Sequence, residues 1–199
     1  MITISIISFS GRVQKGNCYE ISLYLKKKLM NEFTDVHIFY LSESNIHNCS
    51  HCEYECFSEA GNCPYDLDDI KKIYNQIQKS DMSFFVIPIF SGFPCSNFFI
   101  FNERSQCFFS SNRQYDEYLK IPKKYIIIGN TGFSNAKNII CYDSIKKDNL
   151  NQNFLNICSK EVHEKSIKGN LIEYKSISDK IDIWLKQCLE EIRMKVRTI

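Results

Sequence analysis

The sequence predicts an α/β sandwich in which helices cover both faces of a parallel sheet. Apolar runs rich in β-branched residues alternate along the chain with helical patterns. These runs are apolar at nearly every position, which is typical of strands buried on both faces. Distinctive loops follow three of them, at 8–18, 88–97 and 129–135. A length of 199 residues suits one well-packed domain, so we expect a single domain over 1–199.

Four strands of this sheet can be placed directly, and a fifth is expected after them. The four are 2–8, 36–41, 82–89 and 125–128. Turn residues follow the third and fourth strands, with the Ser91-Gly92 pair after one and Gly129 after the other. Two further segments, 139–142 and 171–174, are the candidates for the fifth strand.

Helical patterns fill the connections between the strands. Apolar residues at helical spacing predict helices over 18–30, 67–78, 96–104 and 178–196. Ser178 is the expected N-cap of the last helix. Asp68 and Asp69 are expected in the first turn of the second helix, where carboxylates suit the positive end of the helix dipole.

The composition restricts the classes of partner that the protein is expected to bind and the cellular compartment in which it is expected. Apolar residues make up 44% of the chain and charged residues 24%, and the net charge of +2 gives no strong attraction to nucleic acid or membrane. The apolar start has no basic segment or cleavage site, so it is interpreted as a strand rather than a signal peptide. With ten cysteines and no export signal, a cytoplasmic protein is expected, with thiols or metal ligands rather than disulfides.

The loop after the first strand has the features of an anion-binding turn. Small residues let backbone amides curl around an anion, the following helix adds partial positive charge, and Arg12 adds a full charge. The sequence has neither the Gly-Lys-Ser/Thr ending of a P-loop nor a Gly-x-Gly-x-x-Gly fingerprint. An ordinary turn is the alternative. The candidate residues are Ser8, Ser10, Arg12, Gly16 and Asn17.

A second candidate site is a cysteine-rich loop at 47–66. Its thiolates could ligate a [4Fe–4S] cluster, or hold zinc in a tetrahedral site with His47 and His51 as further candidates. As a third alternative they are free thiols lining a redox or substrate pocket. Cys95 and Cys107, further along, are expected to be ordinary small residues rather than reactive thiols. The cysteines of the loop are Cys49, Cys52, Cys56 and Cys63.

Two motifs before residue 70 resemble those of the flavodoxin-like NADPH-dependent FMN reductases. The stretch Ser8-Phe9-Ser10-Gly11-Arg12, with Gly16-Asn17-Cys18 behind it, resembles the phosphate loop of this family. Cys49-x-x-Cys52, followed by Cys56, Gly61, Cys63 and Asp68-Asp69, is similar to the cysteine-rich segment of the branch called iron–sulfur flavoproteins.

Two later motifs extend the resemblance over residues 2–132. Pro88-Ile89-Phe90-Ser91-Gly92 resembles the family's flavin loop, and Phe101-Asn102-Glu103-Arg104 resembles its Phe-x-Asp-Arg signature. The sequence departs from the family in having Cys18 where Ser or Thr is common and Phe90 where Tyr is common. The gap between Arg12 and Gly16 and the later gaps between the cysteines are also longer.

The resemblance implies a flavodoxin-like three-layer sandwich with a five-stranded parallel sheet in the order 2-1-3-4-5. It implies FMN as cofactor, with its phosphate near Ser8, Ser10, Arg12, Gly16, Asn17 and Cys18. The ribityl chain and ring would lie along Pro88, Ile89, Phe90, Ser91, Gly92 and Phe93, and the polar edge of the ring near Asn130, Thr131 and Gly132. It also implies a homodimer or tetramer in which the partner subunit closes the flavin site.

The function expected from the resemblance is that of an FMN-binding oxidoreductase. It would move electrons from NAD(P)H to a small acceptor such as a quinone or a flavin. One alternative is an electron-transfer flavoprotein that exchanges electrons between a [4Fe–4S] cluster on the four loop cysteines and FMN, without direct use of NAD(P)H, and with a redox protein as partner. A third, non-enzymatic hypothesis is a binding module whose loop is stapled by zinc. The sequence identifies no catalytic residue.

Overall fold

The computed structural model describes residues 1–12, 16–31, 33–49, 53, 55–57, 63–109, 112–131, 135–143 and 153–196. Within these ranges, no helix is both long enough and apolar enough to cross a membrane.

Five parallel strands form the central sheet, in the order β2-β1-β3-β5-β6. A two-residue strand, β4, pairs antiparallel with the end of β3 and lies outside that order. Without β4, the order of the parallel strands is the predicted 2-1-3-4-5, which is that of flavodoxin-like folds. The predicted fold class is therefore confirmed. The strands are β1 (Ile2–Ser8), β2 (Thr34–Tyr40), β3 (Met82–Phe90), β4 (Phe93–Pro94), β5 (Lys123–Gly129) and β6 (Phe154–Cys158).

Helices cover both faces of the sheet because side chains alternate along each strand. Ile6 and Phe84 point to the face covered by α1 and α7. Ile7 and Phe85 point to the opposite face, which packs on α2 and α3. The helices are α1 (Asn17–Leu29), α2 (Ile70–Gln78), α3 (Ser96–Glu103), α4 (Ser105–Phe108), α5 (Asn112–Lys120), α6 (Ala136–Asp143) and α7 (Lys175–Val196), with 3-10 turns at Glu55–Phe57, Ser159–Val162, Ser166–Lys168 and Leu171–Glu173.

Both candidates for the fifth strand are wrong. Residues 139–142 lie within α6, and most of 171–174 forms a 3-10 turn. The strand that completes the sheet is β6, which pairs parallel with β5. This strand is only five residues long, and the half-buried Asn156 interrupts its apolar character, so it lacks the longer buried runs of β1, β3 and β5.

Two expectations about helix ends are also wrong. Helix α7 begins at Lys175, so Ser178 lies inside its first turn, where its hydroxyl donates to the carbonyl of Lys175 at 3.1 Å. Helix α2 begins at Ile70, with Asp69 as the residue before it. Asp68 lies outside that helix and is buried in an ion pair with Arg104.

A tight hairpin joins β3 to β4. Its two turn residues, Ser91 and Gly92, both have positive φ angles, of 50° and 85°. Two central residues with positive φ are the mark of a type I′ turn, which suits a two-residue hairpin. This turn lets the chain reverse at the carboxyl end of β3, and α3 begins shortly after β4, at Ser96.

A buried lysine ties the last helix to the sheet. Lys124 of β5 is 1% exposed, and its ammonium donates to Asn153 Oδ1 at 2.7 Å and to Glu191 Oε2 at 2.5 Å. Glu191 is partly exposed, with 37% of its side chain accessible. The Glu191 carboxylate of α7 therefore balances the buried charge of Lys124.

We expect Glu191→Ala to lower the free energy of unfolding by about 1–3 kcal/mol, because the buried ammonium of Lys124 loses its carboxylate. Urea unfolding followed by circular dichroism measures the change. The matched control is Glu190→Ala, which removes the same charge from an exposed neighbouring position of α7 and should change stability by less than about 0.5 kcal/mol. Equal effects of the two substitutions would contradict this account of Lys124.

Candidate functional site

A cavity of about 520 Å³ opens at the carboxyl ends of β1, β3 and β5. Ligands of open α/β sheets bind at this edge, where the strand order reverses. The volume lies within the range of small-molecule sites. Three loops and one distant segment line it, through Ser10, Gly11, Arg12, Gly16, Asn17, Cys18, Pro88, Ile89, Phe90, Ser91, Cys95, Ser96, Asn97, Ile128, Asn130, Ser166 and Ile167.

The first wall is the loop between β1 and α1. The amides of the first turn of α1 have no preceding carbonyl to bond, so they can bond an anion. Ser10 Oγ accepts the Arg12 amide at 3.0 Å, which leaves the hydroxyl proton available for donation. Arg12 is exposed and donates from Nη1 to the carbonyl of Ile167 at 2.9 Å. One end of the cavity thus combines a helix N-terminus, a hydroxyl and a guanidinium.

The side chain of Asn17 ties this wall to the distant segment. Its Nδ2 donates to the Ser166 carbonyl at 2.6 Å, and its Oδ1 accepts the Leu171 amide at 2.9 Å. Both the nitrogen and the oxygen of the Asn17 side-chain amide therefore have hydrogen-bond partners within the protein. For an anion, Asn17 offers its backbone amide at the start of α1 rather than its side chain.

Cys18 is buried at the base of the same wall. Burial, and after it the nearby Cys95, raise the pKa of the Cys18 thiol. The side chain is therefore a neutral thiol at physiological pH, and it adds no negative charge that would repel an anion. Cys18 therefore leaves the electrostatics of this wall favourable for an anion.

The second wall begins at the end of β3 and includes the start of α3. Phe90 is 65% exposed at the cavity, which gives this side an apolar mouth. Behind it, Cys95 Sγ donates to the Phe9 carbonyl at 3.1 Å. Asn97 Nδ2 lies 3.3 Å from the Phe9 carbonyl and 3.5 Å from that of Ser10. Cys95 and Asn97 of the second wall therefore hold the backbone of the first wall in place at Phe9 and Ser10.

The third wall is formed by Asn130, at the end of β5. Its Oδ1 accepts the Ser159 hydroxyl at 2.8 Å and the Ser166 amide at 3.0 Å. Its backbone carbonyl accepts a bond from Cys158 Sγ at 3.0 Å. Asn130 thus holds residues 159–166 against this end of the cavity.

Most of the residues predicted for the phosphate and flavin loops line this one cavity. Among the others, Ser8 is buried at the end of β1, and Gly92, Phe93 and Thr131 are not among the lining residues. Gly132 lies outside the described residues. The sequence did not indicate Asn97, Ser166 or Ile167; Asn97 follows the predicted flavin loop, but nothing in the sequence signals the other two.

The described ends of the cysteine-rich loop contact Arg104. This side chain is 1% exposed and donates to Asp68 Oδ2 at 2.5 Å, to the His47 carbonyl at 2.6 Å and to Cys63 Sγ at 3.6 Å. Burial alone would lower the pKa of the guanidinium, but its hydrogen bond to the Asp68 carboxylate and the negative charge of that carboxylate more than offset this, so the pKa is raised. Arg104 is therefore a buried cation that binds the loop to the end of α3.

The candidate metal ligands do not assemble a metal site in the described part of the loop. Cys49, Cys56 and Cys63 take part in no disulfide there, and Cys52 lies outside the described residues. Among the residues that the structure describes, no group of three or more His, Cys, Asp or Glu side chains could hold a metal ion. Burial, followed by the neighbouring Cys107, raises the pKa of Cys49 to about 12. The [4Fe–4S] cluster on Cys49, Cys52, Cys56 and Cys63 therefore stays a prediction.

Comparison with known proteins finds likeness at the level of structure. No family model and no curated protein matches the chain. RosB, solved with bound 8-demethyl-8-formylriboflavin-5'-phosphate, is similar with a TM-score of 0.56 and 10% identity over 98% of this chain and 88% of its own. A flavone reductase is similar with a TM-score of 0.52 and 12% identity, over 92% of this chain and 60% of its own. FerB, a flavoenzyme NAD(P)H:(acceptor) oxidoreductase from Paracoccus denitrificans, gives a TM-score of 0.47 and 14% identity over 84% of this chain and 80% of its own. The first two likenesses establish that the chain shares the flavodoxin-like fold of these proteins.

Proposed function

We propose that the chain is an FMN-binding oxidoreductase that transfers electrons from NAD(P)H to a small acceptor such as a quinone or a free flavin. The observation that carries this proposal is the cavity at the carboxyl edge of the sheet, which has an anion-binding end and an apolar mouth. RosB, which shares the fold, was solved with a bound flavin phosphate, and this supports a ligand of the same class here.

The residues of the cavity fit FMN in their chemistry. The start of α1, the Ser10 hydroxyl and Arg12 supply donors for a phosphate dianion. Pro88, Ile89 and Phe90 supply apolar contact for an aromatic ring system. Asn97 and Asn130 brace the first and third walls through their hydrogen bonds, so the cavity is largely formed before a ligand enters.

When bound, FMN would supply the hydride and single-electron chemistry, which no side chain can perform. The task of the protein is to hold and orient it. Arg12 and the α1 amides would bind the phosphate, and the β3 hairpin would set the position of the ring. No described side chain in the cavity is a carboxylate or an imidazole that would act as a proton donor there. Proton transfer would therefore involve solvent or the donor molecule.

Binding of FMN and of riboflavin to the same protein tests the proposal. We expect FMN to bind at least about tenfold more tightly, because the phosphate gains charge-assisted hydrogen bonds worth about 1.5–3 kcal/mol that riboflavin lacks. Fluorescence titration of the flavin-free protein measures both dissociation constants. Equal affinity, or no binding of either, would exclude a phosphate site in this cavity.

Anaerobic mixing of the FMN-loaded protein with NADPH or NADH then tests the reductase activity. Loss of the visible flavin absorbance, followed by its return when a quinone is added, is the expected result. An FMN-loaded protein that neither nucleotide reduces, but that a chemical reductant does, would support flavin binding and exclude the reductase.

A further inference from the structure

A short segment that follows β6 lines one side of the cavity. His163 and Gly169, which flank it, both have positive φ angles, of 54° and 79°. Between them the chain forms the 3-10 turn Ser166–Lys168, and Ser166 and Ile167 are lining residues of the cavity. We refer to residues 164–168 as the strap.

Three hydrogen bonds hold the strap against the cavity. The amide of Ser166 donates to Asn130 Oδ1 at 3.0 Å, and its carbonyl accepts a bond from Asn17 Nδ2 at 2.6 Å. The next carbonyl, that of Ile167, accepts a bond from Arg12 Nη1 at 2.9 Å. All three bonds use backbone atoms of the strap, so none of them needs the side chain of Ser166.

These bonds place Ser166 at the anion-binding end of the cavity. Asn17 is the first residue of α1, and Arg12 supplies the full positive charge of that end. The Ser166 hydroxyl forms no hydrogen bond with the described part of the chain, because both bonds of this residue use its backbone. A hydroxyl without a partner in the protein therefore lines the cavity beside the start of α1.

A terminal phosphate is the ligand group that could use this hydroxyl best. Such a group presents three strongly accepting oxygens. The first wall offers its donors from one loop, whereas Ser166 offers a donor from a separate segment. Because its backbone is fixed on both sides, Ser166 loses little conformational freedom when a ligand binds, which favours affinity.

We propose that Ser166 is a phosphate-binding residue and that the strap completes the anion-binding end of the cavity. The Ser166 hydroxyl donates to a phosphate oxygen, together with the α1 amides, the Ser10 hydroxyl and Arg12. This inference rests on the proposed FMN site, and it adds to that site a ligand that lies 149 residues after Asn17 in the sequence.

Ser166→Ala tests the role of the hydroxyl without releasing the strap. We expect FMN to bind about tenfold more weakly to this variant, because one hydrogen bond to a charged group is lost. Riboflavin, which has no phosphate, should bind as it does to the unsubstituted protein. Fluorescence titration gives the four dissociation constants. The melting temperature of the flavin-free protein should be unchanged, since the three backbone bonds remain.

Two further variants make the result specific. Ser166→Thr keeps a hydroxyl at the same position and should retain the preference for FMN over riboflavin. Ser176→Ala removes an exposed hydroxyl from the first turn of α7, outside the cavity, and should leave both affinities unchanged.

Inorganic phosphate supplies a readout that does not involve a flavin. A ligand that binds the folded state raises the melting temperature. We therefore expect phosphate to raise the melting temperature of the flavin-free protein above its value in sodium chloride of the same ionic strength. The rise should be less than about half as large in Ser166→Ala.

Three results would overturn the inference. The first is an unchanged ratio of FMN to riboflavin affinity in Ser166→Ala, and the second is an equal loss of both affinities, which would make the residue merely structural. The third is a loss in Ser166→Thr as large as that in Ser166→Ala. If FMN binds more tightly than riboflavin to the unsubstituted protein and to Ser166→Ala alike, the proposed FMN site stands and only this inference fails. If phosphate stabilises the protein through Ser166 but neither flavin binds, the phosphate site stands and the proposed oxidoreductase fails.

Discussion

Asp68→Asn is expected to lower the free energy of unfolding by about 3–5 kcal/mol, because it leaves the buried guanidinium of Arg104 without a counter-charge. The two side chains are each 1% exposed and lie 2.5 Å apart. The carboxylate also accepts the backbone amides of His47 and Ile70, both at 3.1 Å. Its loss would therefore loosen the cysteine-rich loop and the start of α2 together. Urea unfolding measured by circular dichroism gives the change in free energy.

Asp66→Asn is the matched control for this prediction. Asp66 forms an ion pair with Lys71 in the same segment, but both side chains are largely solvated, with 44% and 39% of their surfaces exposed. An exposed pair contributes little, so we expect a change of less than about 1 kcal/mol. A small effect of Asp68→Asn, no larger than that of Asp66→Asn, would show that Arg104 is adequately stabilised by the carbonyls of His47 and Tyr65.

The buried pair also shows where sequence reasoning is misled by a correct local principle. Acidic residues before a helical pattern are commonly explained by the helix dipole, and the sequence pattern predicts that role for both Asp68 and Asp69. Asp69 does precede α2, and its carboxylate accepts the Asn45 amide at 2.9 Å. The partner of Asp68 lies 36 residues further along the chain. No local pattern reveals a contact over that distance.

β1, β3 and β5 were predictable because they are buried on both faces over most of their length, whereas the order of the sheet is what the family resemblance implies. β1, for example, is buried from Ile4 to its end. The sequence did not predict β6, because this strand is short, lies at the edge of the sheet and carries Asn156 in its centre. The apolar segments at 139–142 and 171–174 look more like strands in isolation, but the first lies within α6 and most of the second forms a 3-10 turn that packs against α1 and α7.

The candidate site was predictable where its residues follow strands, and unpredictable where tertiary contacts bring in other segments. Ser10, Arg12 and Pro88 lie in loops that the α/β pattern places at the carboxyl edge of the sheet. Ser166 and Ile167 reach the cavity because Asn17, Asn130 and Arg12 hydrogen-bond to their backbone. Because these hydrogen bonds are made to backbone atoms, they do not require particular residues at positions 166 and 167. The sequence therefore carries no signal of the contact.

Arg12→Ala is expected to weaken FMN binding about tenfold to a hundredfold, which corresponds to the loss of roughly 1.5–3 kcal/mol of charge-assisted hydrogen bonding to a phosphate. The effect should be smaller for riboflavin, which has no phosphate to bind. Because Arg12 also donates to the Ile167 carbonyl, the substitution frees one end of residues 166–168, and both flavins can lose some affinity for that reason. The informative quantity is therefore the ratio of the two dissociation constants, measured by fluorescence titration of each variant.

Two further variants separate charge from geometry in this experiment. Lys27→Ala removes one positive charge from the exposed far end of α1 and should leave the ratio of FMN to riboflavin affinity unchanged, which controls for net charge. Arg12→Lys keeps the charge but loses the planar fork that can bond two phosphate oxygens, so an intermediate ratio is expected. If Arg12→Ala and Lys27→Ala shift the ratio equally, the guanidinium acts only through the overall field of the protein. In that case the phosphate would be held by the amides of α1 and the Ser10 hydroxyl, and Ser10→Ala would become the substitution that changes the ratio.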